Sequence, residues 1–244
     1  MRTLASMIGL GCLALGLTAA GQEKKENSAT IPVPREGAWR QLHEKYLQRA
    51  KEGSIDLLFL GDSITQGWND NAVWKRHYAP RRAANMGIGG DRTQHVLWRI
   101  DNGEIDGINP KVVVLMIGTN NIGSNTPEEI AEGIQAIVTR LREKLPETKI
   151  LLLGIFPRGK SRTPDQTAAE VDPRPGQVNE IIKSLDDGKT VIYRDIGKRF
   201  LDADGRIPKD VMPDFLHLSL KGYRIWADAI EPLLWELMDE PRGK

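Results

Sequence analysis

Ser63 is the first residue of this chain whose position suggests catalysis. It lies in Gly61-Asp62-Ser63-Ile64, directly after an apolar run, and therefore on a predicted strand-to-helix turn. Such a turn exposes the hydroxyl and directs the following helix N-terminus at any negative charge that develops nearby. The alternative is that Ser63 only caps the helix, a position that favours serine. The motif is not the Gly-x-Ser-x-Gly turn of α/β-hydrolases, because Thr65 stands at the second glycine position.

A serine nucleophile needs a base, and the chain contains four histidines. His217 follows Asp214 by three residues, just before the last predicted helix. At this spacing a carboxylate can approach imidazole Nδ1, fix the tautomer and stabilise the imidazolium. Of the other three histidines, His43 is expected to be partly packed on the surface of a helix and His95 to pack at a helix start. His77 lies in a stretch predicted to be irregular. The Asp-x-x-His motif alone also fits an ordinary turn.

Two loops contain groups that can stabilise the oxyanion of an acyl-transfer reaction. The first is the glycine-rich stretch Asn85–Asp91, and the second is Gly118–Asn121. Glycine lets a backbone N–H approach a reacting atom closely, and an asparagine amide donates a hydrogen bond without adding charge. Both compositions are also common in turns without function.

The elements that must position these residues alternate between strand-like and helical patterns. Thr126–Glu129 predicts a capping box with proline in the first helical position, in a helix that ends at Pro146. Tyr223–Leu237 predicts an amphipathic helix at the C-terminus. The apolar runs that predict strands are Asp56–Leu60, Val112–Ile117, Ile150–Ile155 and Val191–Tyr193. Because residues 111–117 are apolar without alternation, we predict a parallel sheet covered by helices on both faces, with the ligand site at the strands' carboxyl ends.

Residues 1–20 have the three parts of a secretory signal peptide: Arg2, an uncharged apolar run and small residues before a polar stretch. The run is shorter than the roughly 20 residues that a membrane-spanning helix needs. We therefore predict export to the periplasm or the medium. This interpretation is favoured over a membrane span and over a lipoprotein anchored through Cys12. We assign residues 21–37 to a polar linker and residues 38–240 to one domain.

Removal of the signal peptide would leave a chain without net charge and without cysteine. Without Arg2, the 34 Lys and Arg residues become 33, equal to the 33 Asp and Glu residues. This balance does not favour nucleic acid as a partner. A chain without cysteine cannot form disulfides and must be stabilised by packing. No clustered histidine or cysteine set predicts a metal site.

Four blocks occur in a fixed order: Gly-Asp-Ser-Ile, the glycine block, Gly-Thr-Asn-Asn and Asp-x-x-His. In this order they resemble the blocks of the SGNH (GDSL) hydrolase superfamily. More narrowly, the stretches Asn85–Arg99, Pro157–Gly159 and Asp214–Leu218 resemble the catalytic subunits of platelet-activating-factor acetylhydrolase. The resemblance covers roughly residues 40–238. It implies a three-layer α/β/α, flavodoxin-like fold with a central parallel sheet of about five strands.

The resemblance also implies a role for each motif residue. Ser63 would be the nucleophile, His217 the base and Asp214 the residue that orients the base. The oxyanion hole would comprise the backbone N–H groups of Ser63 and Gly90 and the side chain of Asn120. Gly90 is chosen among the glycines because it directly precedes the aspartate, as in the family pattern.

The function implied is that of a serine esterase that hydrolyses carboxylic esters without metal or organic cofactor. The expected substrate is a small-molecule or glycan ester, with a short acyl group (acetyl) on a carbohydrate or lipid, and a homodimer is compatible with the sequence. The alternatives are a thioesterase or lysophospholipase on the same fold, and a noncatalytic carbohydrate- or lipid-binding module. Basic residues in the loop Pro157–Gly176 suggest either an anionic substrate or, the preferred interpretation, a solvated loop.

Overall fold

The computed structural model describes residues 26–69, 71–160 and 167–240 of this chain. The strands are β1 (Leu57–Gly61), β2 (Ala83–Gly87), β3 (Val112–Met116), β4 (Lys149–Leu153), β5 (Ala168–Ala169), β6 (Val191–Arg194) and β7 (Ile207–Pro208). The α-helices are α1 (Ala38–Lys51), α2 (Ser63–Gln66), α3 (Ala72–His77), α4 (Thr93–Asp101), α5 (Pro127–Lys144), α6 (Arg174–Ile182) and α7 (Leu220–Leu237). Short 3₁₀ helices occupy Ser28–Thr30, Ala79–Arg81, Thr119–Asn121, Lys183–Leu185 and Gly197–Phe200.

The main sheet of the described chain has five parallel strands in the order β2-β1-β3-β4-β6. The predicted three-layer α/β/α fold is therefore confirmed, and the four predicted strands all lie in this sheet. The fifth strand, β2, was not predicted, because Ala83-Ala84-Asn85 is neither apolar nor alternating and the strand lies at an edge of the sheet. The short antiparallel pair of β5 and β7 was also not predicted.

Alternate residues of each central strand enter two separate hydrophobic cores, one on each face of the sheet. In β1, Leu58 and Leu60 join the core under α1, α4, α5 and α6. Leu57 and Phe59 join the opposite core, under α3 and α7. All residues of β1 and β3 are buried. Both faces of a central parallel strand must be covered, which explains the absence of polar alternation in its sequence.

The helix α5 begins as the sequence predicts, and α7 begins at Leu220, three residues before the predicted Tyr223. Thr126 accepts a hydrogen bond from the Glu129 N–H, and Glu129 returns one to the Thr126 N–H, which completes the capping box of α5. Ser219 caps α7 through the Gly222 N–H. Because α7 begins directly after the loop that carries His217, this cap also limits where that loop can lie.

The segment 26–37, part of the predicted linker, packs against the domain instead of standing free. Ala29 is fully buried, and its carbonyl accepts a 2.7 Å hydrogen bond from Thr93 Oγ1. Asn27 Nδ2 donates to the Glu129 carbonyl. These polar residues were interpreted as a linker because hydropathy does not report hydrogen bonds to a neighbouring element. This part of the linker assignment is corrected: residues 27–35 belong to the domain.

The predicted signal peptide lies outside the described residues. Among the residues that the structure describes, no helix has the length and apolar character needed to cross a membrane.

Candidate active site

The carboxyl ends of β1, β2 and β3 meet at one edge of the sheet, and each continues into a predicted site segment. Gly61 at the end of β1 pairs with Gly87 of β2 and Met116 of β3. The Ile88 N–H donates to the Gly61 carbonyl at 3.1 Å, which continues the pairing into the glycine-rich loop. The sheet therefore brings together Ser63, the glycine turn and Asn120, as expected for a ligand site of an open parallel sheet.

Ser63 is the first residue of α2, and Asp62 is its N-cap. Asp62 Oδ1 accepts a hydrogen bond from the Ile64 N–H at 2.9 Å. Asp62 is fully buried, and this burial raises its pKa to about 7. A side chain at Gly87 would lie 2.3 Å from the Gln66 nitrogen, so glycine is needed where α2 crosses the end of β2. Asp62 thus supports the turn that carries Ser63.

His217 lies beside Ser63 although 154 residues separate them, with Nε2 2.9 Å from Ser63 Oγ. Its other ring nitrogen, Nδ1, lies 2.7 Å from Asp214 Oδ2. Since a carboxylate can only accept, Nδ1 carries the proton and Nε2 is left to accept the Ser63 proton. The three side chains form a continuous hydrogen-bonded chain.

The turn that carries Asp214 and His217 is held by its own backbone. Asp214 Oδ1 accepts hydrogen bonds from the N–H groups of His217 at 2.7 Å and Leu216 at 3.1 Å. Between them Phe215 has a positive φ of 58° and a buried ring, which closes the turn tightly. Partial burial opposes ionisation of Asp214, but the hydrogen bonds from the His217 backbone and imidazole lower its pKa. The carboxylate is therefore ionised at neutral pH.

Three of the four backbone N–H groups in the glycine turn Ile88–Asp91 donate to acceptors within the protein. The Asp91 N–H donates to the Ile88 carbonyl, and the Gly89 N–H donates to Gln66 Oε1 at 2.8 Å. Among the described residues the Gly90 N–H has no acceptor, nor has that of Ser63. Gly90 has a φ of +78°, a conformation that favours glycine. These free donors are the two that the resemblance implies for an oxyanion hole.

Asn120, in the turn after β3, lies against the same loop. Its Nδ2 donates to the Asp91 carbonyl at 2.9 Å. An amide nitrogen has two hydrogens, so one remains for a substrate. The structure therefore places the backbone of Ser63 and Gly90 and the side chain of Asn120 around the carboxyl ends of adjacent strands.

Each of the other three histidines contacts a different group, and hydrogen bonds hold His43 and His95. His43 is buried, with Nδ1 2.9 Å from Glu104 Oε2, so the expected partial exposure is wrong. His77 ends α3 and lies 3.8 Å from Glu231, in a helix and not in an irregular stretch. His95 Nδ1 accepts from the Arg92 N–H at the start of α4, as predicted for a packed residue.

Two basic residues of the loop Pro157–Gly176 hold the turn of Asn120. Arg158 Nη1 donates to the Thr119 carbonyl at 3.0 Å, and Arg174 Nη1 donates to the Ile122 carbonyl at 3.0 Å. Arg174 also pairs with Asp172 through two nitrogens. These guanidinium groups therefore support the protein backbone.

Sequence reasoning did not identify the residues whose side chains hold the glycine turn in place. Arg35 binds the Gly89 carbonyl, Gln66 accepts from the Gly89 N–H, and the buried Asp91 carboxylate contacts Arg35, Trp39 and Arg99. Arg99, which follows the apolar residues 96–98, was the available signal, because a charge at a core position of a helix implies a buried partner.

Within the residues that the structure describes, no group of three or more His, Cys, Asp or Glu side chains could hold a metal ion.

Residues 59–225 match the model of the GDSL-like lipase/acylhydrolase family. The chain is 36% identical to human platelet-activating factor acetylhydrolase IB subunit alpha1 over 226 residues, which is 90% of this chain and 95% of that protein. It is 38% identical to the rat alpha2 subunit, over 88% of this chain and 93% of the relative.

A GDSL-like lipase from Bacteroides thetaiotaomicron shares the fold. Its structure superposes with a TM-score of 0.62 at 15% sequence identity, over 80% of this chain and 97% of the lipase. At this identity the likeness concerns the fold alone.

Proposed function

The chain belongs to the GDSL-like lipase/acylhydrolase family and is a carboxylic ester hydrolase, and on this premise we propose a serine mechanism for it. Ser63 is the nucleophile, and the substrate is an ester of a short acyl group, acetyl above all. The alcohol released is a carbohydrate or a lipid.

The observation that carries this proposal is the hydrogen-bonded chain from Ser63 Oγ through His217 to Asp214. A serine hydroxyl is a weak nucleophile unless a base takes its proton during attack. An imidazole with its second nitrogen bound to a carboxylate meets that need, since the carboxylate stabilises the imidazolium that forms.

In the first step Ser63 Oγ attacks the ester carbonyl carbon while its proton passes to His217 Nε2. The carbonyl oxygen becomes an oxyanion, which accepts hydrogen bonds from the Ser63 and Gly90 N–H groups and from Asn120 Nδ2. The C–O bond of the ester then breaks, and the leaving alcohol takes the proton from His217. The acyl group remains on Ser63.

In the second step a water molecule attacks the acyl-Ser63 carbonyl and gives a proton to His217. The same three donors stabilise the second oxyanion. Collapse of this intermediate releases the carboxylic acid, and the His217 proton returns to Ser63 Oγ. Neither step requires a group beyond the protein and water.

The preference for acetyl esters is supported by the relatives at 36 to 38% identity, whose names describe acetylhydrolases. The alcohol remains a wider class, because the predicted export would separate this chain from intracellular lipids.

A signal peptide at residues 1–20 is part of the proposal, with residues 38–240 as one domain. N-terminal sequencing of the exported protein should begin near Gly21; retention in the cytoplasm with residues 1–20 intact would contradict it.

Replacement of Ser63 by alanine tests the mechanism. For a soluble acetyl ester we expect Ser63→Ala to lower kcat by on the order of 10⁴-fold or more, because the nucleophile is gone while the fold stays. Ser184→Ala is the matched control, since that exposed hydroxyl contacts only the Ile181 carbonyl. After brief mixing with substrate, mass spectrometry should find the acyl group on the peptide that contains Ser63. Full activity of Ser63→Ala would reject the proposal.

A substrate panel tests the acyl preference. Acetate release should be measured from acetylated sugars, xylan and acetyl phospholipids, together with long-chain esters and thioesters. Higher kcat/KM for acetyl than for long acyl groups is expected. A preference for long chains or thioesters would favour the lysophospholipase or thioesterase alternative.

A further inference from the structure

The orientation of one peptide unit decides whether the oxyanion hole is complete. This inference rests on the function proposed above. The carbonyl of Gly89 and the N–H of Gly90 belong to the same planar, trans peptide, so they point in opposite directions. A contact that fixes the Gly89 carbonyl therefore also fixes the direction of the Gly90 N–H.

In a turn of this kind the central peptide can rotate, so that its carbonyl and N–H exchange directions. Gly89 and Gly90 occupy the two central positions of the turn from Ile88 to Asp91, and Gly90 has a φ of +78°. This value is typical of a type II turn, and the type I turn differs mainly by rotation of the central peptide. Glycine populates both conformations readily, so two adjacent glycines impose little preference.

Arg35 contacts this peptide from the N-terminal segment. Its Nη1 donates to the Gly89 carbonyl at 2.8 Å and to Asp91 Oδ1 at 3.1 Å. The guanidinium also covers Gly90: a Cβ placed there would lie 3.2 Å from Nη2 and 3.3 Å from Nη1.

The partner of Arg35 is itself immobilised. Asp91 is fully buried; its Oδ1 accepts from Trp39 Nε1 at 2.7 Å, and its Oδ2 lies 3.0 Å from Arg99 Nε. The Arg35 nitrogen that donates to the Gly89 carbonyl is therefore also held by a fixed carboxylate.

We propose that Arg35 is a positioning residue for ester hydrolysis, which locks the Gly89–Gly90 peptide with the Gly90 N–H directed into the oxyanion hole. A charged donor on the carbonyl also polarises the peptide, which makes its N–H a stronger donor to the developing oxyanion. Arg35 acts through this peptide and does not contact the reacting atoms.

The same contacts argue against Arg35 as a binding site for an anionic substrate. Its charge is paired with the Asp91 carboxylate at 3.1 Å, and one of its nitrogens is engaged by both the carboxylate and the carbonyl. Loss of Arg35 should therefore affect kcat and not KM, whereas loss of an anion-binding residue would raise KM.

The test compares Arg35→Ala with two matched variants on a neutral, soluble acetyl ester. We expect Arg35→Ala to lower kcat by about 10- to 100-fold with KM changed less than about 2-fold, as for a misdirected catalytic donor. Added guanidinium ion should restore part of kcat, which a merely unfolded variant would not show. Arg35→Lys should retain an intermediate kcat, because one ammonium cannot reproduce the guanidinium geometry.

Arg40→Ala controls for loss of a surface arginine, since Arg40 has similar side-chain exposure to Arg35 (38% against 36%) and pairs with Glu36. Trp39→Phe removes one of the contacts that fix Asp91 but leaves the Gly89 carbonyl contact of Arg35 in place, so it should lower kcat less than Arg35→Ala does. Arg40→Ala should keep kcat within about 3-fold of the unsubstituted protein.

An Arg35→Ala kcat equal to that of Arg40→Ala would overturn the inference, as would a change confined to KM or an equal kcat loss in Trp39→Phe. Ser63→Ala in the same assay separates the two proposals. If Ser63→Ala is active, the serine mechanism itself fails; if it is inactive while Arg35→Ala is normal, only the role of Arg35 fails.

Discussion

Asn120 and Asn121 are adjacent and chemically identical, yet their surroundings assign them different roles. Asn121 is fully buried; its Oδ1 accepts from the Thr93 N–H, and its Nδ2 lies within 3.2 Å of three side-chain oxygens. Asn120 is half-buried and makes one hydrogen bond, to the Asp91 carbonyl. One amide therefore ties the loop to α4, and the other keeps a donor for substrate.

Alanine at these two positions should separate catalysis from stability. Asn120→Ala should lower kcat by roughly 10²- to 10³-fold, the usual loss for one oxyanion donor, with little change in the free energy of unfolding. Asn121→Ala should lower that free energy by about 2 kcal/mol or more, because it leaves buried partners unsatisfied. Kinetics and urea denaturation of both variants provide the measurement. Equal kcat losses without a stability difference would refute this division.

At the scale of elements, the packing of the N-terminal segment on α5 explains a glycine in the middle of that helix. A Cβ at Gly133 would lie 2.6 Å from Thr93 Oγ1 and 2.8 Å from the Ala29 carbonyl. Helix propensity alone disfavours glycine here by about 1 kcal/mol relative to alanine. The close approach of the N-terminal segment outweighs this preference for alanine. The same segment also carries Arg35 to the site.

Glycine-to-alanine substitutions in the two helices α5 and α6 should therefore change the free energy of unfolding in opposite directions. Gly133→Ala should lower the free energy of unfolding by about 1–3 kcal/mol, because the new methyl group must displace the Ala29 backbone. Among the described residues, no atom beyond the chain neighbours and backbone of α6 itself lies within 4 Å of a Cβ at Gly176. Gly176→Ala should therefore raise that free energy by about 0.5–1 kcal/mol. Thermal and urea denaturation measure both. An equally stabilising Gly133→Ala would show that the segment does not pack as described.

For the whole molecule, the buried Asp62 and the partly buried His95 give the folding free energy opposite dependences on pH. Burial raises the pKa of Asp62 from 3.8 to about 7, so its stabilising contribution is full below pH 3.8 and is lost as the pH rises through 7. Burial, with nearby arginines, lowers the pKa of His95 from 6.5 to about 4. Its contribution is full above pH 6.5 and is lost as the pH falls through 4. Between these limits the two slopes oppose each other.

Single substitutions should reveal how each group contributes to the slope of the unfolding free energy against pH. Asp62→Asn retains an oxygen for the Ile64 N–H but does not titrate, so its unfolding free energy should rise more steeply with pH than that of the unsubstituted protein. His95→Gln keeps the hydrogen-bond acceptor at the start of α4, and its slope should change in the opposite direction. Denaturation across the interval from about pH 4 to 7 gives the slopes. Changes of the same sign in both variants would contradict this explanation.

The fold class and the candidate site residues could be predicted from the sequence because each depends on local properties. Buried strands such as β3 must be apolar on both faces, and the pairing of Asp214 with His217 needs only a three-residue turn. Acyl transfer admits few residue types as nucleophile and base, which selected Ser63 and His217, whereas Asn120 was chosen by the family resemblance. Strand β2 was missed because an edge strand with small residues has no such local pattern.

Only the tertiary structure determined which of these groups meet. The crossovers of the sheet bring Ser63 within 2.9 Å of a histidine 154 residues away. Gln66 occupies the Gly89 N–H and leaves that of Gly90 free, and Arg35 reaches the Gly89 carbonyl from a segment predicted as a linker. Residue type and periodicity report burial and turns along the chain. Hydrogen bonds between distant segments depend instead on how the elements pack, and this is why the direction of one peptide could be determined only in three dimensions.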